Sequence, residues 1–461
     1  MGSTRQKNRQ LMLAFMEEGG SETPRAFCDG AEQPVSTRGF GCPAVNETLM
    51  EEVCEKNNLI RALKAVRSNK GSAGIDGMTV AKLGPHLEKH WPEIRAQLMS
   101  GNYKPQPVKR VEIPKPDGGV RKLGIPTVLD RFIQQAVLQV LQGKWDATFS
   151  KHSFGFRPGR SAHQAVSLAQ EYIKQGRGWV VDLDLEKFFD KVNHDKLMGQ
   201  VGKRVKDGRM LKLIRAYLNA GVLEDGLVKP TDEGTPQGGP LSPLLSNVVL
   251  DELDRKLEQR GHCFVRYADD CNIYVRSKQA GERVMKSVTR FITEKLKLKV
   301  NETKSAVARP AERKFLGFSF TRGKEPKRRI APKALDRFKA KIRELTRRRR
   351  ENFKQMIEKM SVYLRGWQGY FGNCQTPSVL EDLNGWIRRR MRSVIWRAWK
   401  HGKKRFAGLR KCGISEGLAA QLAGSSHGPW RISRTPTMSM AFPDRFFERA
   451  GLPKLTVRQT A

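Results

Sequence analysis

The chain has 461 residues, enough to bury a large hydrophobic core and to form about three domains. It carries 86 Lys and Arg residues against 47 Asp and Glu residues, and the resulting net charge of +39 is too large for an ordinary solvated surface and indicates a protein that neutralises phosphate. The chain lacks a membrane-length apolar run, a signal-peptide segment and any CxxC pair among its seven cysteines, which argues against a membrane protein, a zinc site and a disulfide framework.

The amino-terminal region leads into a hairpin that carries two cations. Residues 1 to 45 are rich in Gly, Ser and Thr and are expected to be mobile or weakly helical. A helical pattern follows, and residues 105 to 125 then alternate with a period of two around Pro-Asp-Gly-Gly, which predicts a β-hairpin. Lys115 and Arg121 flank its tip, where they are either simply solvated or able to fold down over a triphosphate.

A loop and a strand come next. Phe154–Gly159 predicts a rigid loop, whose Arg157 either grips the backbone of a template or lies on the surface of a core-packing loop. The run that begins at Trp179 and ends at Asp184 is apolar and β-branched, as in a buried strand. Such a strand commonly delivers the carboxylate at its end to a functional site.

A glycine-rich loop precedes a long helix. Gly234–Gly239 places three glycines around Gln237, and glycine lets a backbone approach a nucleotide closely. Ser242 is predicted as the N-cap of the following helix and Pro243 as its first residue. The apolar stripe of this helix is expected to pack in the core.

Two β-prone runs then flank a pair of adjacent acids, Asp269 and Asp270, and predict a hairpin with both acids on its turn. Adjacent acids also occur in solvated turns, but here Asp184 offers a third carboxylate at the end of another strand. Three carboxylates at one site suit two Mg²⁺ ions, with Mn²⁺ able to substitute. Two such metals would activate a 3′-hydroxyl and stabilise the leaving pyrophosphate oxygen.

Seven stretches of the chain, in this order, make it resemble the bacterial reverse transcriptases, or maturases, encoded by group II introns. They span about residues 55 to 320 and are Val111–Lys115, Val120–Pro126, Ser153–Gly159, the strand ending at Asp184, Gly234–Pro243, Tyr267–Asp270 and Phe315–Phe318. The resemblance implies an α+β, right-hand polymerase fold with fingers, palm and a basic helical thumb. It also implies an RNA-directed DNA polymerase that uses deoxynucleoside triphosphates.

The resemblance implies roles for individual residues. The catalytic metals would be bound by Asp184, Asp269, the carbonyl of Leu185 and, in a supporting position, Asp270. The incoming nucleotide would be contacted by Lys115, Arg121, Gln237 and Lys304, with Phe189 as the steric gate that selects deoxynucleotides. Of the two neighbouring phenylalanines, Phe188 is expected to be the more buried.

Basic helices follow the composition change after Phe320. The resemblance identifies them as the thumb, or maturase domain, which grips intron RNA and the primer–template duplex through backbone and 2′-hydroxyl contacts. The arginines expected to bind RNA or template are Arg157, Arg347, Arg348, Arg349, Arg350, Arg365, Arg388, Arg389 and Arg392. No cysteine follows Cys412, so we expect no metal-dependent endonuclease domain of the kind found in many family members.

The expected domains are a mobile segment (1–45), an amino-terminal extension with fingers (46–180), a palm (181–322), a thumb or maturase domain (323–412) and a nucleic-acid-binding appendage (413–461). The expected partners are group II intron RNA, an RNA template with a DNA primer, and target DNA, with no membrane. We expect a cytoplasmic monomer or homodimer. Two alternatives remain, a splicing chaperone with a vestigial polymerase site and a host enzyme that serves repair or defence.

Overall fold

The computed structural model describes residues 48–114, 118–224, 227–229, 233–235, 238–347 and 352–456. The chain forms two compact units. The first unit contains the chain up to Ala165 together with Trp179–Val307, and the second contains Val166–Gly178 together with the chain from Ala308 onward. Short strands that pair mostly antiparallel alternate with helices along the chain, and this mixed content of antiparallel sheet and helix confirms the α+β class.

The first unit begins with helices and a small sheet. Its helices up to residue 174 are α1 (Leu49–Cys54), α2 (Lys56–Asn69), α3 (Leu83–Ser100), α4 (Val128–Trp145) and α5 (Ala162–Lys174), of which α5 is divided between the units. The predicted hairpin is formed by β1 (Val108–Pro114) and β2 (Val120–Ile125), antiparallel with Pro114 opposite Val120. Two short strands, β4 (Val222–Glu224) and β5 (Leu227–Lys229), complete a sheet of order β2-β1-β4-β5.

A second sheet carries the acids. Its strands are β3 (Trp179–Leu183), β6 (Cys263–Tyr267), β7 (Asp270–Val275) and β8 (Ala306–Ala308), in the order β6-β7-β3-β8. β7 pairs antiparallel with both β3 and β6, and Tyr267 lies opposite Asp270. The predicted hairpin is therefore confirmed, but its turn consists of Ala268 and Asp269, so the prediction that both acids lie on the turn is wrong for Asp270, which opens β7.

Helices of the first unit cover these sheets and enclose one hydrophobic core. They are α6 (Phe188–Lys191), α7 (His194–Gly202), α8 (Gly208–Asn219), α9 (Ser242–Gln259) and α10 (Lys278–Phe291), and a π-helical turn, Ile292–Leu296, continues α10. The predicted start of α9 was wrong by one residue. Leu241 is the N-cap with backbone angles that are already helical, so Ser242 opens the helix and its side chain does not cap it.

The second unit is a helical bundle with a two-stranded sheet, β9 (Phe318–Phe320) and β10 (Arg328–Ile330). Its helices are α11 (Pro332–Leu345), α12 (Phe353–Phe371), α13 (Pro377–Ala398), α14 (Gly402–Lys411), α15 (Glu416–Ala423), α16 (Pro429–Ile432), α17 (Pro436–Ala441) and α18 (Asp444–Arg449). Residues after 413, including Ile432 and Phe447, share one hydrophobic core with α11–α13. The expected appendage is thus packed into the same core as the expected thumb.

Candidate active site

A cavity of about 1220 Å³ lies in the first unit, beside the end of β3. The β1–β2 hairpin, the loop before α9 and the segment after α10 also line it. Its walls carry both Asp184 and Asp269, together with Arg121, Phe189 and Lys304. With Leu185, which also lines the cavity, six of the predicted site residues are therefore brought together from segments up to 183 residues apart (121 to 304).

Asp184 directly follows β3, and a neighbouring segment holds its backbone. The amide of Asp184 donates to the Ser305 hydroxyl (3.0 Å), and the amide of Asn301 donates to the Asp184 carbonyl (2.8 Å). Two residues further on, the Glu186 amide donates to the Lys299 carbonyl (2.8 Å). Ser305 was missed in the sequence, because a single serine 121 residues away carries no local signal of this contact.

Asp269 is the second residue of the β6–β7 turn. Its partner in the turn, Ala268, has a φ of 57°, a left-handed conformation that residues other than glycine rarely adopt. Burial and the negative charge of Asp184 raise the pKa of Asp269, whereas the charge of Arg121 acts in the opposite direction. The site therefore disfavours two bare carboxylates, and a cation would relieve this repulsion.

Asp270 has a different environment. It opens β7, is exposed, and does not line the cavity with Asp184 and Asp269. Across the described ranges of the chain, no three His, Cys, Asp or Glu side chains are grouped so that they could hold a metal ion. The structure thus does not group Asp270 with the other two acids, because Asp269 lies in the turn whereas Asp270 is already part of β7.

The remaining pair of acids still suits Mg²⁺. This ion is commonly held by one or two protein carboxylates, while water and substrate phosphates fill its other positions. Asp184 and Asp269 supply two such carboxylates in one cavity, and Leu185 lies beside them in the wall. The donor set therefore fits a metal site that is completed by a nucleotide.

Lys304 lies close to the first of these acids. Its Nζ atom is 3.6 Å from Asp184 Oδ2, and its side chain is 63% exposed. A pair this exposed contributes little to stability, so its value lies in the charge that it brings to the cavity. Arg121 brings a second positive charge from β2.

Two phenylalanines follow Asp184 with different burial. Phe188 is 2% exposed, whereas Phe189 is half-buried and lines the cavity. This confirms the expected difference between them. The Phe189 ring lies edge-on to Phe156, with 6.5 Å between ring centroids, and the Phe189 carbonyl accepts a hydrogen bond from the Thr235 amide (2.6 Å).

The glycine-rich loop packs tightly where it is described. Gly234 has a φ of 92°, and a Cβ there would lie 2.9 Å from the Phe189 carbonyl oxygen. A Cβ on Gly238 would lie 2.5 Å from the Gly124 carbonyl oxygen. These glycines thus let the loop approach both Phe189 and the β2 strand. Gln237 and Lys115 lie outside the described residues.

The structure corrects the prediction for Arg157. Its side chain is 4% exposed, and it is paired with Asp146 with 2.8 Å from Nε to Oδ1. It also donates to the carbonyl oxygens of Ser150, Ser153 and Asp146. Because buried loop carbonyls need donors, Arg157 is a structural support of its own loop and is not available to a template backbone.

Three predicted RNA-binding arginines of α13 make contacts within the second unit. Arg388 is buried and lies 3.0 Å from Asp444 of α18, and Arg392 donates to the Phe442 carbonyl oxygen (2.9 Å). Arg389 stacks on Trp430, 4.0 Å from the ring centroid. The prediction of RNA contact is therefore wrong for Arg388, whose side chain is 2% exposed. Arg389 and Arg392 contact residues near the carboxy terminus, Trp430 and Phe442.

Arg347 and Arg365 are exposed, as an RNA-binding role requires. Arg348, Arg349 and Arg350 fall outside the described ranges. Within those ranges no helix combines the length and apolarity needed to cross a membrane.

Two family models match the chain. The reverse transcriptase (RNA-dependent DNA polymerase) model matches residues 113–320, and the group II intron, maturase-specific domain model matches residues 335–413. The first match contains the cavity residues from Arg121 to Lys304, and the second begins in α11 and ends just past α14.

Known proteins show the same similarity. The chain is 33% identical over 301 residues to Protein YkfC of Escherichia coli, a match that covers 57% of this chain and 79% of that protein. It is 40% identical over 195 residues to the group II intron-encoded protein LtrA of Lactococcus lactis, covering 42% of this chain and 32% of LtrA. Among solved structures, a partial Cas6-RT-Cas1–Cas2 complex shares 26% identity and a TM-score of 0.35, covering 53% of this chain and 42% of that chain.

The two family matches lie close together in the sequence, they follow the order of the sequence motifs, and they cover nearly all of the cavity lining and the second unit's helices through α14. The right-hand polymerase fold expected from the motifs is confirmed by the first of them. The chain therefore belongs to the group II intron reverse transcriptases, RNA-directed DNA polymerases that carry a maturase domain.

Proposed function

We propose that the cavity of the first unit is the polymerase active site and that Asp184 and Asp269 hold divalent cations there, most suitably Mg²⁺. The observation that carries the proposal is that these two carboxylates, one just after β3 and one in the β6–β7 turn, line one cavity with Lys304 and Arg121. When bound, the metals supply the charge that lowers the pKa of a primer 3′-hydroxyl and stabilises the leaving oxygen. Asp270 follows Asp269 in the sequence and supports the metal site in this proposal without lining the cavity.

The other residues of the cavity bind and orient a deoxynucleoside triphosphate. Arg121 and Lys304 offer positive charge to its phosphates, and Lys304 is the candidate donor of a proton to the leaving group. Phe189 presents a half-buried ring to the cavity, where it excludes a 2′-hydroxyl. Lys115 and Gln237 complete the nucleotide site, and the Leu185 carbonyl is an additional metal ligand in this proposal.

The second unit binds RNA in this proposal, and its substrates are intron RNA and a primer on an RNA template. The exposed Arg365 and Arg347 offer charge to phosphates, while Arg388 stabilises the fold. Binding to this basic surface would stabilise the splicing-competent conformation of the intron RNA. Reverse transcription of the RNA would then take place at a DNA target.

Primer extension on an RNA template tests the polymerase proposal. The wild-type protein should extend a DNA primer with deoxynucleotides and Mg²⁺, and both Asp184→Ala and Asp269→Ala should abolish extension. Asp195→Ala is the matched control, because Asp195 is 81% exposed in a surface pair with Arg215. An Asp269→Ala protein that still extends the primer at the wild-type rate would refute the assignment.

Splicing is tested separately with the intron RNA that flanks the gene. We expect Asp269→Ala to retain splicing assistance, since the acid serves only polymerisation. A wild-type protein that binds RNA tightly but never extends a primer would instead favour the splicing chaperone. If no intron RNA flanks the gene, the host-enzyme alternative would be favoured.

A further inference from the structure

A completely buried arginine lies beneath the turn that carries Asp269. Arg266, the second-last residue of β6, is 0% exposed. Its Nε and Nη2 atoms donate to the two carboxylate oxygens of Asp254 at 2.7 and 2.6 Å. Asp254 belongs to α9 and is also 0% exposed, so a planar, two-bond ion pair joins the helix to the strand.

The remaining nitrogen of Arg266 reaches the turn itself. Its Nη1 atom donates to the carbonyl oxygen of Ala268 (2.9 Å) and to Asn247 Oδ1 (3.0 Å). The Asn247 amide in turn donates to the carbonyl oxygen of Gly155 (2.9 Å), and Gly155 packs on the Ala268 backbone so closely that a Cβ there would overlap the Ala268 nitrogen. Arg266 and Gly155 thus contact Ala268 directly, and Asn247 of α9 is hydrogen-bonded to both of them.

Ala268 needs such support. Its left-handed φ is unfavourable for any residue with a Cβ, and strained conformations persist only where their surroundings hold them. The backbone of Arg266 adds to this by pairing on its other side, since its amide donates to His152 O and its carbonyl accepts from Phe154 N, both at 2.9 Å. The loop after residue 151 is thereby joined to the turn.

We propose that Arg266 is a positioning residue that holds Ala268, and through it Asp269, in the conformation that binds the catalytic metal. This inference rests on the proposed metal-binding role of Asp269. A buried ion pair is a poor source of stability, because apolar residues of similar volume commonly replace it without loss. An apolar replacement cannot donate to the Ala268 carbonyl, however, so the pair has a function that stability alone does not require.

The test separates positioning from folding. In the variant Arg266→Met/Asp254→Leu both charges leave together, which avoids an unpaired buried charge. The matched control is Arg204→Met/Asp251→Leu, which removes another pair anchored on α9 (2.5 Å, with side chains 11% and 4% exposed) that does not touch the turn. Thermal unfolding, the rate of primer extension and the Mg²⁺ concentration for half-maximal rate are measured for both.

We expect the Arg266→Met/Asp254→Leu protein to unfold near the control's temperature but to extend primers about 10-fold to 100-fold more slowly, with a higher Mg²⁺ requirement. Should it not fold, Asn247→Ala tests the same chain of contacts and leaves the ion pair intact. Arg266→Lys should fall between wild type and the double variant, because lysine lacks the fork that serves two partners.

Wild-type rate and wild-type Mg²⁺ dependence in both the double variant and Asn247→Ala would overturn the inference. So would an equal shift in the control pair, since that would mark a general effect of altering α9. A wild-type protein that itself fails to extend primers is a different result, because it would refute the proposed active site and not the role of Arg266 within it.

Discussion

Replacing Gly155 with alanine should disable the polymerase from a position outside the cavity. A Cβ on Gly155 would overlap the backbone nitrogen of Ala268 and lie 3.0 Å from both Ala268 Cα and the Tyr267 carbonyl carbon. Carbon atoms in contact normally lie about 3.5–4.0 Å apart. The crowded atoms all belong to the backbone, so no side chain can rotate away, and the turn that carries Asp269 has to move.

The size of the effect follows from these distances. Relieving the overlap with the Ala268 nitrogen requires a shift of about 1 Å, and overpacking of this kind costs about 1–3 kcal/mol of unfolding free energy. In a unit of this size that corresponds to a fall in Tm on the order of 5 °C. A misplacement of about 1 Å at a reacting group lowers the rate by about 100-fold, so activity should fall much further than stability.

The assay pairs thermal unfolding with primer extension across a range of Mg²⁺ concentrations. Gly143→Ala is the control, because Gly143 lies in α4 and a Cβ there meets nothing within 4 Å. The control should gain about 0.5–1 kcal/mol of stability, as glycine is costly inside a helix, and should keep full activity. A Gly155→Ala protein with unchanged Tm and unchanged extension would show that the turn is not packed as described.

Three further predictions concern charge. Because the pKa of Asp269 is raised in the fold, protonation of Asp269 stabilises the metal-free fold at low pH, and this stabilisation is lost as the pH rises through the raised pKa. Asparagine stays neutral at every pH. Asp269→Asn should therefore increase Tm at pH 7, and the increase should shrink toward pH 4. A fall in Tm at pH 7 would instead show that burial and the charge of Asp184 do not destabilise the ionised Asp269. Lys304→Met should change Tm by no more than about 1 °C, because the pair with Asp184 is exposed, but it should slow single-turnover extension. An unchanged extension rate would show that Lys304 has no role in the reaction. Arg388→Met should lower Tm with no change in the salt dependence of RNA binding, because Arg388 is buried. Arg365→Met should leave Tm unchanged and reduce the slope of log K for RNA binding against log salt concentration by roughly 0.7–0.9. The reverse pattern would contradict the assignment.

Much of the site could be read from the sequence because its signals are local. The β-branched run that ends at Asp184 and the two runs around Asp269 have strand periodicity, and the structure has strands at Trp179–Leu183 and Cys263–Tyr267. The position of the hairpin turn and the lower exposure of Phe188 were also predicted from neighbouring residues. The basic character follows from the count of charged residues alone. The order of the motifs then sufficed to predict the fold and the reaction.

The tertiary structure decided which charged residues face solvent and which support the site. An arginine has the same sequence signature whether it binds phosphate or satisfies buried carbonyls, so only the fold separates the exposed Arg365 from the buried Arg157 and Arg388. Ser305 and Arg266 were likewise invisible in the sequence, because their partners lie 121 and 12 residues away and no local pattern links them. Local periodicity specifies strands and turns, whereas burial and hydrogen bonding depend on contacts that exist only after distant segments have packed together.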